Sequence, residues 1–148
     1  MELILWRHCE AEPGVPDEAR RLTPLGLEHA RRVAAWLDER LSANARIVVS
    51  PAVRAQQTAQ ALGRACETSA DVGTGTSVDA LLDAVAWPDA RGVVLVVGHQ
   101  PTLGRVASQL LEGDAHDQAM RPGAVLWLSS SECWPGREAV LKVAKDVA

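Results

Sequence analysis

Three short, continuous apolar runs constrain the fold of this chain more than any other feature. They occupy residues 3–6, 47–49 and 93–97, and each ends abruptly at polar residues. A strand that is covered on both faces has no polar alternation, so such runs indicate buried strands. Segments of helical character follow them, and this alternation predicts a layered α/β domain.

The remaining elements are predicted from periodicity and from helix-end signals. Thr23 is a favoured N-cap and Pro24 is favoured at the first helical position, so a helix should begin there. Residues 10–21 are polar and contain two prolines and a glycine, which predicts a loop over the end of the first strand. Further helices are expected over residues 53–66, 78–86 and 102–111, the last closed by Gly113. Residues 124–128 and 139–143 predict two strands, joined through residues 129–137 as an antiparallel pair.

Length and charge limit the class of protein. A chain of 148 residues is long enough for one domain with a core and too short for two ordinary ones, so we expect a single domain over residues 1–148. The formal net charge of -4 argues against general binding to nucleic acid or to anionic membranes. A small local cationic pocket remains compatible with that charge.

Cysteine usage and the absence of export signals predict a cytoplasmic protein. Cys9, Cys66 and Cys133 are scattered and odd in number, which indicates reduced thiols and neither a disulfide framework nor a zinc site. The sequence has no signal-peptide pattern and no apolar run of about 18 residues. It leaves the oligomeric state open, and a monomer is compatible with it.

Two histidines, two arginines and a serine lie at or just beyond the carboxyl ends of the three predicted strands. Arg7 and His8 end the first run, Ser50 with Arg54 just beyond ends the second, and His99 follows the third. Ligands of open α/β sheets bind at the carboxyl ends of the strands, so these residues form a candidate site. A single strand-end histidine is usually structural, whereas two histidines and two arginines in matching positions favour a functional site.

This group suits phosphoryl transfer. Arginine presents a planar fork of donors that matches phosphate oxygens, and a neutral histidine is a competent nucleophile. Phosphoryl transfer mainly requires positioning and cations around the equatorial oxygens. The sequence therefore predicts that His8 attacks phosphorus and that water then hydrolyses the resulting phosphohistidine.

Other chemistries fit less well. A cysteine phosphatase needs an arginine after five intervening residues, and from Cys9 that position is Val15. Metal hydrolysis would need clustered ligands at spacings such as HxxxH or HxH, and these are absent, as are the P-loop and GxGxxG signatures.

Four motifs in order resemble those of the histidine phosphatase superfamily, also called phosphoglycerate mutase-like, and within it the short bacterial phosphohistidine phosphatases of the SixA type. The family motifs are a strand followed by RHG, then LTxxG, SPxxRAxQT and a strand followed by GHxP. They are matched by LWRHC at 5–9, LTPLG at 22–26, SPAVRAQQT at 50–58 and GHQP at 98–101. The third match is the most specific.

The resemblance implies a three-layer α/β/α sandwich with a mostly parallel central sheet, no metal and no cofactor. It implies His8 as the phosphorylated nucleophile, with Arg7, Arg54 and His99 as the phosphate pocket. Ser50 and Thr23, which lie in the third and second motifs, are further candidates for substrate binding. Cys9 occupies the family's glycine position, which is strained only if the backbone there has positive φ. Its thiol predicts a possible sensitivity of activity to oxidation.

Larger relatives carry a lid and an acidic proton donor in an insertion after the third motif. Here only about 35 residues separate Thr58 from Val93, which predicts little or no lid and suits a phosphate presented on another protein. Asp79 is the nearest candidate acid in that segment. An imidazole leaving group can take its proton from solvent, so such an acid matters less for phosphohistidine than for an ester.

Three functions remain open on the sequence. The first is a phosphatase acting on phosphohistidine of a protein such as a phosphotransfer domain. The second is a phosphatase of small phosphate esters, because a fold does not fix a substrate. The third is a non-catalytic module that binds phosphoproteins, against which the presence of the complete arginine and histidine set argues.

Overall fold

The computed structural model describes residues 1–134 and 137–147, with the side chains of 132–134 and 137 outside the description. Ten helices and strands organise these residues. The strands are β1 (Glu2–Arg7), β2 (Arg46–Val49), β3 (Glu67–Thr68), β4 (Val93–Gly98), β5 (Val125–Trp134) and β6 (Arg137–Lys145). The α-helices are α1 (Pro24–Asp38), α2 (Val53–Gln60), α3 (Val78–Ala84) and α4 (Thr102–Glu112). Short 3-10 helices lie at Asp17–Ala19 and Ala70–Val72.

All six strands form one sheet in the order β3-β2-β4-β1-β5-β6. The pairs β1/β4, β2/β4 and β2/β3 are parallel, whereas β5 runs antiparallel to both β1 and β6. The three predicted apolar runs are therefore the adjacent strands β2, β4 and β1. Their core positions are almost completely buried, which confirms the inference from unbroken apolar sequence.

Helices cover both faces of this sheet. On one face Val33 and Leu37 of α1 pack with Ala55 and Ala59 of α2 against the sheet. On the other, α3 and α4 contribute a second cluster that includes Leu81, Leu103, Val106 and Leu110. The architecture is the expected α/β/α sandwich, because each helix buries one apolar face against a sheet that is apolar on both faces.

The first helix begins as its sequence predicts. The Thr23 hydroxyl accepts the Gly26 N–H at 2.9 Å, and Pro24 occupies the first turn. A Cβ atom at Gly26 would collide with the carbonyl oxygen of Glu10. The glycine thus permits the first turn of α1 to contact the start of the loop over residues 10–21.

Two predicted boundaries are wrong. The helix expected over residues 53–66 ends at Gln60, because the chain turns at Gly63, where φ is +65°. The connection expected over residues 129–137 is mostly strand, since β5 continues to Trp134 and β6 begins at Arg137. Pro135 and Gly136, which fall in that predicted connection, lie outside the described residues.

The outer strand β6 is one edge of the sheet. Its pairing with β5 is irregular, because Trp127 pairs with Val143 while Leu128 pairs with Leu141. Lys142 is the extra residue of this bulge, and its Nζ donates to Glu2 Oε1 at 2.6 Å.

Candidate active site

The register of the parallel strands brings the predicted residues together. Arg7 pairs with Gly98 in the sheet, and Val49 pairs with Val97. The ladder continues one residue further, because His8 N donates to Gly98 O and Ser50 N donates to Val97 O. His8, Ser50 and His99 consequently lie side by side at the carboxyl edge of β1, β2 and β4.

The backbone around His8 fixes its imidazole tautomer. Nδ1 lies 2.8 Å from the carbonyl oxygen of Cys9, an acceptor only, so this nitrogen carries the proton. Arg54 Nε donates to Nε2 of His8 at 3.3 Å, which requires a lone pair on Nε2. Burial, together with the neighbouring Arg54 and Arg7 charges and against the opposing hydrogen bond to Cys9, lowers the pKa of His8 to about 4. The ring is neutral at physiological pH, with its unprotonated nitrogen directed at an arginine.

His99 forms the second half of the histidine pair. Its ring centroid is 5.1 Å from that of His8, and its Nε2 lies 2.7 Å from Ser50 Oγ. Burial, followed by the effect of His8 and Arg54, lowers the pKa of His99 to about 3. Its Nδ1 is buried and has no hydrogen-bond partner among the described residues. Ser50 therefore orients His99 through Nε2, and the second ring nitrogen is not used by any described residue.

Arg54 is held on α2 by a chain of hydrogen bonds that begins just after β1. Cys9 N donates to Thr58 Oγ1 at 3.0 Å, and the Thr58 hydroxyl donates to the Arg54 carbonyl at 2.8 Å. Arg54 itself is almost fully buried. Nη2 and Nη1 donate to Asp17 Oδ2 at 2.9 Å and Asp17 O at 2.7 Å.

Arg7, the last residue of β1, contacts the loop between α4 and β5. Its Nη1 donates to Met120 O at 2.7 Å, and its Nε is buried without a hydrogen-bond partner in the described part of the chain. Burial and the nearby Arg54 charge lower the pKa of this guanidinium. The Gly123 N–H, which contacts the carbonyls of both Arg7 and His8, secures the following turn.

Two predicted site residues lie apart from this group. Thr23 caps α1 and donates its hydroxyl to Glu10 Oε2 at 2.8 Å. Asp79 is exposed in the first turn of α3, and no described hydrogen bond or ion pair joins it to the histidines or arginines. Substrate binding by Thr23 and proton donation by Asp79 stay predictions.

Cys9 is less reactive than its position suggested. It is not among the described residues with positive φ, so replacing the family's glycine causes no strain of that kind. The thiol is fully buried, and burial raises its pKa to about 12. Because the thiolate is the reactive form, this environment argues against an oxidation-sensitive Cys9.

Asp17 and Thr58 were not predicted as members of the site. Thr58 belongs to the third motif, but its sequence position predicts only that it faces the sheet. Asp17 lies in a polar loop where no spacing distinguishes it from Glu12 or Glu18. No signal in one sequence pairs it with an arginine 37 positions later.

Comparisons with known proteins agree with this arrangement. Residues 3–76 match the family model of the histidine phosphatase superfamily (branch 1). Phosphohistidine phosphatase SixA of Escherichia coli (strain K12) is 31% identical over 124 residues, covering 77% of this chain and 76% of that protein. The chain belongs to the histidine phosphatase superfamily. It is a hydrolase of the SixA type within that superfamily.

Further proteins similar to this histidine phosphatase include one sequence relative and two solved structures. The SixA homologue of Haemophilus influenzae is 32% identical over 126 residues, covering 74% of this chain and 77% of the relative. A structure provisionally identified as SixA of Nakamurella multipartitia superposes with a TM-score of 0.81 at 30% identity, covering 98% and 95% of the two chains. Protein histidine phosphatase SixA complexed with tungstate gives a TM-score of 0.80 at 24% identity, covering 99% and 97%.

The described residues contain neither a membrane-spanning helix nor a metal-binding cluster. None of the helices within residues 1–134 and 137–147 has the length and apolar character needed to cross a bilayer. In the same part of the chain, His, Cys, Asp and Glu side chains form no group of three that could hold a metal ion.

Proposed function

We propose that this histidine phosphatase removes the phosphoryl group from phosphohistidine on a protein, through a covalent intermediate on His8. The observation that carries the proposal is the unprotonated Nε2 of His8, held beside the Arg54 guanidinium. Arg7 and His99, which adjoin the same nucleophile, supply further donors for phosphoryl oxygens. The printed names of the Escherichia coli and Haemophilus influenzae relatives support phosphohistidine as the substrate class.

The first step forms a bond between His8 Nε2 and phosphorus. The Nε2 lone pair attacks, the bond from phosphorus to the substrate's imidazole nitrogen breaks, and its electron pair stays on that nitrogen. Because Nδ1–H of His8 donates to the Cys9 carbonyl, the positive charge that develops on the ring is stabilised. The guanidinium groups compensate the negative charge of the transferring oxygens.

The second step returns the enzyme to its starting state. A water molecule attacks phosphorus, the bond to His8 Nε2 breaks with its electron pair returning to Nε2, and the proton of the attacking water passes to bulk water as inorganic phosphate leaves. Arg54 Nε, which contacts Nε2 in the free enzyme, can donate to a phosphoryl oxygen while Nε2 is phosphorylated.

The leaving group explains why the described cluster needs no carboxylic acid. The departing imidazole nitrogen is basic enough to take a proton from water, whereas an alkoxide would require a positioned acid. Asp79, the nearest candidate, is exposed and outside the cluster.

The surroundings of the site favour a phosphoryl group carried by a protein. Between α2 and β4 the described chain forms only β3, a 3-10 helix and the seven-residue α3. So little structure supplies no large lid over the strand ends, which suits a phosphoryl group presented by a partner such as a phosphotransfer domain.

Variants of His8 test the proposal. His8→Ala should abolish phosphate release from a phosphohistidine-bearing phosphotransfer protein, whereas His29→Ala on α1 should retain it. Labelled phosphate should become trapped on wild type under an alkaline quench and not on His8→Ala. Turnover by His8→Ala would refute the proposed nucleophile. A higher kcat/KM on a panel of phosphate esters than on the phosphoprotein would refute the proposed substrate.

A further inference from the structure

The loop over residues 10–21 reaches the proposed site through one carboxylate. The side chain of Asp17 is 55% exposed, yet it pairs with Arg54, whose side chain is only 5% exposed. Asp17 binds Arg54 twice, through Oδ2 and through its backbone carbonyl. An ion pair between exposed groups contributes little, but this one holds a buried arginine in two-point geometry.

A second arginine holds Asp17 in place. Arg20 Nη1 donates to Asp17 Oδ1 at 3.0 Å, and Arg20 Nε donates to Glu12 O at 2.7 Å. Both carboxylate oxygens of Asp17 are therefore occupied, each by a different guanidinium. The hydrogen bonds from Arg20 and Arg54 lower the pKa of Asp17, so the carboxylate is charged and is not a proton donor at neutral pH.

The base of the loop is held by backbone hydrogen bonds, from Glu12 N to Arg21 O and from Thr23 N to Glu10 O, whereas its tip around Asp17 has little buried surface. The 3-10 helix that carries Asp17 contains no buried residue, and its surroundings enclose a cavity of about 250 Å³ lined by residues 12–16 and 19–21. Arg54, in contrast, has its backbone fixed by Thr58 and Cys9. What remains free in Arg54 is the orientation of a long side chain, and Asp17 determines it.

The Arg54 guanidinium keeps two N–H donors that neither His8 nor Asp17 uses. A guanidinium has five N–H donors. Of these, one faces His8 and two face Asp17, so two remain, one on each Nη nitrogen. Because all five donors lie in one plane, Asp17 fixes the direction of the two remaining donors when it fixes that plane.

We infer that Asp17 is a positioning residue, which orients the Arg54 guanidinium so that its remaining donors bind the phosphoryl group attacked by His8. This inference rests on the proposed function for the place of the phosphoryl group. It adds a requirement that the four sequence motifs do not contain.

Three single variants test this role. Asp17→Ala removes the acceptor, Asp17→Asn retains an oxygen for Arg54, and Glu18→Gln removes a neighbouring charge from the same 3-10 helix as a control. We expect Asp17→Ala to lower kcat/KM by roughly 10- to 100-fold and to weaken competitive inhibition by inorganic phosphate. Asp17→Asn should recover most of both, and Glu18→Gln should match wild type.

A double variant separates positioning of Arg54 from general stabilisation of the loop. In an Arg54→Ala background, Asp17→Ala should have no further effect on phosphate inhibition, because the side chain it orients is absent. Unchanged kinetics of Asp17→Ala would overturn the inference. Tighter phosphate inhibition with undiminished turnover would also overturn it, since Asp17 would then compete with phosphate for Arg54.

Phosphate binding keeps this test independent of the substrate. Binding of inorganic phosphate to wild type and to the Asp17 variants can be measured by calorimetry without turnover. If wild type fails to hydrolyse phosphohistidine, the proposed function fails, while weaker phosphate binding by Asp17→Ala would still support the role of Asp17. If all variants bind phosphate equally, the role of Asp17 fails whatever the substrate.

Discussion

Arg7 and Arg54 bring positive charge to the same histidine, yet the protein holds them differently. Arg54 is buried, contacts His8 and has the carboxylate of Asp17 as its counter-ion. Arg7 is half-buried and is bound to the Met120 carbonyl, with no carboxylate partner among the described residues. Asp17 thus fixes the geometry of Arg54, whereas Arg7 has no described carboxylate partner that would compete with an incoming anion. We infer that Arg54 contributes mainly direction and Arg7 mainly charge.

Lysine substitutions should separate the roles of the two arginines and give the largest change in kcat/KM. Lysine keeps the charge of arginine but lacks the planar fork. Arg54→Lys should therefore lose as much kcat/KM as Arg54→Ala, roughly 10²- to 10³-fold. Arg7→Lys should stay within roughly 10-fold of wild type, with Arg7→Ala clearly lower. Steady-state kinetics on the phosphoprotein decide the matter, and equal losses for the two lysine variants would contradict the division of roles.

Acid pH should reduce activity by protonating His8, if it is the nucleophile that we propose. Because the pKa of His8 is lowered to about 4, its Nε2 lone pair persists from neutral pH down to that value. We expect kcat/KM to be flat with respect to His8 above pH 5 and to fall about tenfold per pH unit below 4. Arg7→Gln should move this acidic limb to higher pH, since the Arg7 charge helps to lower the pKa. A limb near the ordinary histidine value in wild type would exclude the buried neutral imidazole.

Replacement of Thr58 should destabilise the fold, because its hydroxyl links Cys9 N to the Arg54 carbonyl. Thr58→Val keeps the shape but leaves the buried Cys9 N–H without its acceptor, at a cost of about 1–3 kcal/mol in the free energy of unfolding. Thr58→Ser retains the hydroxyl and serves as the matched control. Chemical denaturation measures both variants, and equal stability of Thr58→Val and wild type would show that this hydrogen bond is dispensable.

Replacement of Cys9 should have the smallest effect on activity, although Cys9 adjoins His8. Hydrogen peroxide should inactivate wild type and Cys9→Ala at the same rate, because the buried thiol forms little thiolate near neutral pH. Residual activity after timed exposure is the measurement. Faster loss in wild type would restore Cys9 as a redox-sensitive group.

The central strands and the histidine cluster could be predicted because their signals are local. Buried parallel strands produce unbroken apolar runs, and the residues that follow them meet at one edge. The end of α2 is harder to predict from sequence, since Ala61 and Leu62 continue its apolar face up to Gly63. Polar residues such as Ser129 and Ser130 concealed the length of β5, where pairing with β6 overrides weak strand propensity.

The links between distant loops could not be predicted. Asp17 meets Arg54, and Met120 meets Arg7, only because the sheet brings strand ends with remote sequence positions together. Neither partner carries a spacing signal, and the Met120 contact uses a backbone carbonyl that any residue provides. Sequence therefore identifies the side chains at the strand ends better than the loop groups that contact them.

The bulge at Lys142 has a consequence for how copies of this phosphatase behave when crowded. An edge strand offers unpaired amides to any other extended chain, and β6 also exposes the apolar side chains of Val140 and Leu141. The bulge breaks the regular spacing that a second strand would need, and Lys142 and Lys145 add charge that an apolar strand would have to desolvate. The irregular margin of the sheet thus discourages edge-to-edge aggregation without the chain having to cover that margin.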